Sequence, residues 1–167
     1  MAITLDATVG GVSSNSYVTV ARSNALAETL PHMGEWLTSA EINKSQLLLH
    51  ATRLIDRHFL PNGAKVDDTQ ALWWPQSGLS YASTSVTIPE NIIPEFVELA
   101  TVEWAWALHE DPFPSGDISG GLRILGTPSY RMEFTGSKQK RVPEVVSDLL
   151  SPYVRQQPRS FTRLVRT

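Results

Sequence analysis

Apolar and polar positions alternate with two periods along this chain, and the switches between them predict its elements. Ile3 and Leu5 alternate with polar neighbours, Gly10-Gly11 interrupts, and Tyr17-Val18-Thr19-Val20 has strand character. A short helix is predicted over about residues 20–30, stopped by Pro31. Thr38 followed by Glu41 forms a capping box, in which each side chain satisfies the other residue's free backbone N–H. It predicts a second helix over about residues 39–58, ending near Pro61-Asn62-Gly63, with Leu47, Ala51, Leu54, Ile55 and His58 on one face. Residues 61–93 read as irregular. Within them Leu72-Trp73-Trp74-Pro75 is too aromatic for a free loop and is expected to pin it to the core.

A third helix is predicted to start at Pro94, a favoured first-turn residue, with Glu95 and Glu98 at the positive end of its dipole. One stripe holds Val97, Ala100, Trp104, Ala107 and Leu108, and a second beside it holds Phe96, Leu99, Val102 and Trp106. Only Glu95, Glu103 and Glu110 are then left for solvent. A helix this apolar is expected to be central to its own domain and also shared with a neighbouring subunit. Phe96, Leu99, Val102, Trp104 and Trp106, with Trp73 and Trp74, are therefore the candidates for core and subunit interface. Residues 115–121 read as a loop, and residues 122–125 and 130–134 as strands of a wide hairpin around Gly126-Thr127-Pro128-Ser129. A last helix is predicted over residues 143–150, with Val145, Val146, Leu149 and Leu150 inward, and Pro152 ends it. No internal repeat is visible.

Composition narrows the class. A length of 167 residues suits one domain, or one domain with a long arm. Eleven Pro and ten Gly are too many for a plain helical bundle. The absence of Cys removes disulfides, thiolate nucleophiles and cysteine metal sites. No run of about 18 apolar residues occurs, and the N-terminus lacks a basic region ahead of an apolar stretch. A soluble intracellular protein with no membrane contact is expected.

The net charge of −3 hides a split. Residues 1–137 hold 7 basic and 15 acidic side chains, a net of −8, and residues 138–167 hold 7 basic and 2 acidic, a net of +5. Such asymmetry implies that the C-terminal segment meets something acidic, either the body of another copy or nucleic acid. If Pro158 opens a final helical turn, Arg159, Arg163 and Arg166 fall on one side, with Phe161, Leu164 and Val165 on the other. A free basic terminus, ordering on a protein partner and contact with nucleic acid all remain open, the last with Tyr153 and Phe161 stacking on bases.

Catalytic signatures are missing. His32, His50, His58 and His109 have no metal-ligand spacing, and no G-x-S-x-G, P-loop or G-x-G-x-x-G occurs. No catalytic, cofactor-binding or metal-binding residue is therefore assigned, no cofactor is expected, and the chain reads as a non-enzyme.

Several segments together resemble a family. They are Gly11 with Ser14-Asn15-Ser16-Tyr17-Val18-Thr19, then Ala51-Thr52-Arg53-Leu54-Ile55-Asp56, then Gln70-Ala71-Leu72 leading into Trp74-Pro75 with Gly78. Ile93-Pro94 with Glu98-Leu99-Ala100, and Val142-Pro143 with Leu149-Leu150-Ser151-Pro152-Tyr153, complete the set. In this order they are similar to the small head–tail adaptor, or head-completion, proteins of tailed bacteriophages. Some of those proteins are called DnaT-like single-stranded-DNA-binding proteins. The chain departs from the pattern at Ala21-Arg22-Ser23-Asn24, where acidic and aromatic residues are usual, and at Gln76, where a basic residue is more usual.

The resemblance implies a mainly α fold: a small helical bundle with short strands or a hairpin and an extended C-terminal arm, assembling as a ring. It implies an adaptor domain over residues 1–151, with a hairpin or loop insertion near 112–137, and a docking arm over residues 152–167. The implied function is a structural head-to-tail adaptor of the virion neck, made in the host bacterial cytoplasm. A homo-oligomeric, usually twelvefold ring under the portal would continue the DNA channel, pass double-stranded DNA without sequence-specific binding, and meet the next tail or head-closure component. Portal docking would fall to Tyr153, Arg155, Arg159, Phe161, Arg163, Leu164 and Arg166, and deletion of residues 153–167 is expected to leave the fold intact. The alternative is a DnaT-like single-stranded-DNA-binding replication accessory protein.

Overall fold

The computed structural model describes residues 4–82, 84–110, 124–127, 130–133 and 142–156. Among these, five helices and six short strands alternate with long irregular segments. The predicted strand at Tyr17-Val18 is instead a buried bend, because the Tyr17 amide donates to the Thr52 hydroxyl of a helix rather than to a strand. Thr19 then caps α1 (Val20–Ala27), its Oγ1 accepting from Arg22 N at 3.1 Å. The helix ends at Ala27, short of residue 30, where tighter turns carry the chain to Pro31.

An element not foreseen follows: α2 (Gly34–Thr38), which exists to bury Trp36. It removes the expected capping box. Thr38 is its last residue and donates its hydroxyl back to Glu35 O at 3.0 Å. The long helix α3 (Glu41–His58) therefore starts from Ala40 without a side-chain cap. Its inward stripe is Leu48, Ala51, Thr52 and Ile55, spaced at one helical face, with Leu47 and Leu54 at the margins. Lys44 is also buried there, and its Nζ donates to Asn24 Oδ1 at 3.0 Å and Leu37 O at 3.2 Å, tying α3 to α1 and α2.

Helix α4 (Glu95–Glu110) opens on Pro94, whose carbonyl accepts from Val97 N at 2.9 Å. It is central, packed between α3, α1 and α5 (Glu144–Leu150). The acidic strip expected to face solvent is broken: Glu95 and Glu110 are exposed, but Glu103 is buried. Its Oε2 lies 3.2 Å from His32 Nε2, so a hydrogen-bonding partner from the α1–α2 connection meets the carboxylate where it is buried. Helix α5 buries Val146 and Leu150, whereas Val145, expected inside, is exposed.

The strands form three two-stranded antiparallel ladders. β1 (Phe59–Pro61) continues directly from α3 and pairs with β6 (Val154–Gln156), Phe59 opposite Gln156 and Pro61 opposite Val154. β2 (Ala64–Lys65) pairs with β3 (Gln76–Ser77). A Cβ on Gly63 would stand 2.5 Å from Ser77 O, so this close approach admits only glycine. Gly78 leaves β3 with φ +75. The expected hairpin is present as β4 (Ile124–Thr127) with β5 (Tyr130–Glu133), the first strand running on through Gly126 and Thr127.

Candidate functional site

The aromatic loop was expected to be pinned, and the structure gives the pin. Tyr17 donates its hydroxyl to Asp56 Oδ1, Trp74 N donates to Tyr17 Oη at 3.3 Å, and Trp73 N donates to Asp56 Oδ2 at 3.3 Å. One buried phenol and one partly buried carboxylate thus join the N-terminal segment, α3 and the loop. Burial pushes the Asp56 carboxyl up to about 6, against the Tyr17 and Trp73 hydrogen bonds that lower it. Burial, with the Asp56 charge beside it, also raises the Tyr17 hydroxyl well above its ordinary value. Gln70 completes the loop by donating its amide to the carbonyls of Leu72, Trp73 and Pro75. Lys65 caps it, with Nζ bonded to Gln70 O at 2.9 Å and 5.0 Å above the Trp73 ring. Trp74-Pro75 is a cis peptide. Tyr17, Asp56 and the loop backbone bond to one another, and the pin they make holds three separate segments together.

Trp74, Val102, Trp104 and Trp106 are buried within their own chain, and Phe96, Leu99 and Trp73 are partly buried. Trp104 packs against Phe59 and His58, Trp106 stacks on His109 at 5.2 Å, and Trp74 meets Phe96 edge-on at 5.5 Å. Aromatic area that a base-stacking surface would present to solvent is here spent on the core.

Of the residues assigned to docking, Tyr153 and Arg155 belong to the folded body, which continues past Pro152 to Gln156. The Tyr153 ring stacks on Phe96 at 4.0 Å, its hydroxyl accepts from Ala82 N at 3.1 Å, and its carbonyl accepts from Asn62 N at 2.9 Å. These contacts were invisible in sequence because all their partners lie far away along the chain. Arg155 is exposed opposite Leu60. Arg159, Phe161, Arg163, Leu164 and Arg166 lie outside the described residues, as does most of the 112–137 insertion.

An open groove of about 510 Å³ runs between the N-terminal loop and the start of α4. Val9, Tyr17, Tyr81 and Ile92 line it, together with the Arg22–Glu98 ion pair at 2.8 Å. Among the described residues no group of three or more His, Asp or Glu is placed to hold a metal, and no helix is long and apolar enough to cross a membrane. His32 and His109 are engaged with Glu103 and Ser39, each pair within hydrogen-bond reach.

No curated protein and no solved structure matches the chain. The model of one family, described as "Putative DnaT-like ssDNA binding protein", matches residues 1–167 from end to end, and the chain belongs to that family.

Proposed function

We propose that the chain is a DNA-associated accessory protein that engages single-stranded DNA, with its basic C-terminal segment as a principal contact. The observation that carries this reading is the family match over the whole length. The net of +5 over residues 138–167 supports it, because single-strand binding draws most of its affinity from phosphate neutralisation. Phe161 among Arg159, Arg163 and Arg166 supplies a ring able to stack on a base beside cations that track the backbone.

A second reading, the head-to-tail adaptor of a tailed phage, is favoured by a different observation. The tryptophans of α4 are turned into the core, and residues 1–137 carry a net of −8. An acidic body suits a ring subunit past which DNA slides without being held. In that reading Arg159, Phe161, Arg163, Leu164 and Arg166 fasten the subunit to a portal, and the protein resides in the virion neck.

One experiment separates the two. Full-length protein is titrated against a fluorescent oligothymidylate at about 50 mM and about 200 mM salt, and in parallel mixed with a portal ring and weighed by light scattering. Single-strand binding predicts salt-sensitive anisotropy changes with no stoichiometric portal complex. The adaptor predicts the converse, and absence of oligonucleotide binding at the lower salt removes the first reading.

A further inference from the structure

We propose that the outward face of α3, continued by β6, is a track for the phosphate backbone of single-stranded DNA, with Arg53, Arg57 and Arg155 as its contacts. The inference rests on the single-strand-binding reading and assigns it residues in the folded body. The body is acidic as a whole, so the placement of its few cations is informative. Between residues 4 and 110 there are five, and three are engaged. Arg22 is paired with Glu98, Lys44 is buried on Asn24 and Leu37, and Lys65 is bonded to Gln70 over Trp73. Arg53 and Arg57 are exposed, and among the described residues no hydrogen bond or ion pair holds either one. The same is true of Arg155.

Their positions converge. Gln46, His50, Arg53 and Arg57 are all exposed and fall at helical spacing on a single face of α3 that carries no carboxylate. Asp56, the acid next in sequence, is turned inward to Tyr17 and Trp73. Two like charges four residues apart cost a helix a few tenths of a kcal/mol when nothing compensates them. The negative C-terminal end of the α3 dipole accounts for Arg57 but not for Arg53. The chain then passes into β1, where Leu60 stands opposite Arg155. Opposed residues of a ladder project to one side, and with Phe59, Pro61 and Val154 buried, Leu60 and Arg155 are on the outer side. β6 ends at Gln156, opposite Phe59, the residue that directly follows α3. Exposed cations on the helix and on the strand that pairs with its continuation thus supply the positive charge of this face. A planar guanidinium fits phosphate oxygens in pairs, and such contacts carry no base preference.

The test uses the full chain and the same oligothymidylate. Arg53→Gln/Arg57→Gln is expected to bind about tenfold more weakly at low salt and to flatten the log–log salt slope by about 1.4, two phosphate contacts at about 0.7 each. Arg53→Lys/Arg57→Lys should retain most of that slope, and Arg22→Gln, which removes a charge already paired, should bind as wild type. Circular dichroism melting should be unchanged in the Gln pair, since neither side chain has a partner to lose. Wild-type binding that the Gln pair leaves intact, or that Arg22→Gln weakens equally, overturns this inference and leaves the single-strand reading standing on the C-terminal segment alone. A wild-type protein that ignores the oligonucleotide overturns that reading itself, and this inference with it.

Discussion

Asp56 is the residue where burial and charge compete most directly. Its folded value of about 6 lies above the ordinary 3.8, so between these pH values the native state holds a proton that the unfolded chain lacks. The sign follows. This group's contribution to stability grows as pH falls through 6, levels off below about 4, and reaches at most about 3 kcal/mol. Asp56→Asn keeps an acceptor for Tyr17 and cannot titrate. Urea unfolding of wild type and variant at pH 7.5 and pH 5 should therefore show an acid-side gain in wild type that the variant lacks. Equal changes in both proteins would exclude the Tyr17–Asp56 pin as its source. The sequence placed Trp73 and Trp74 against the core, but not this acid. Nothing in Leu54-Ile55-Asp56 distinguishes a buried carboxylate from a solvated one until Tyr17, far away in the chain, is brought beside it. Glu103 shows the same limit, since His32 supplies its partner.

Elements were legible where the pattern was long. α4 carries two adjacent apolar stripes after a proline, and α3 and α5 keep their period, so each appears close to where it was expected. The short α2 was not legible, because five residues with one buried side chain give no periodicity. Its presence turned a correct-looking capping box into a helix end, and the two threonines can be told apart by experiment. Thr19→Ala removes the acceptor of Arg22 N and should cost about 1 kcal/mol. Thr38→Ala, which leaves α3 without any cap to lose, should fall within about 0.5 kcal/mol of wild type. Chemical denaturation of both variants measures the difference, and a larger loss at Thr38 would restore the capping box.

For the whole molecule, the charge split visible in sequence pointed to a division between body and terminal segment, and the ladder of β1 with β6 moves the fold's reach outward to Gln156. Pro152 marked the end of a helix, not the end of the fold. The free cations on α3 could not be read from the sequence either, because engagement of Arg22, Lys44 and Lys65 depends on partners set by tertiary packing. The position of the true boundary is testable by truncation. A stop after Gln156 removes residues without a described role in the core and should leave a cooperative thermal transition near that of the full chain. A stop after Pro152 removes the Tyr153 ring from Phe96, the buried Val154 and the partner strand of β1. A fully buried aromatic side chain is worth about 3–5 kcal/mol, so the partly buried Tyr153 ring together with Val154 and the lost ladder takes a large share of the roughly 5–15 kcal/mol that holds a domain together. The shorter protein should therefore melt far lower or fail to fold. If it melted with the longer one, β6 would be an appendage after all, and docking by Tyr153 would again be compatible with an intact body.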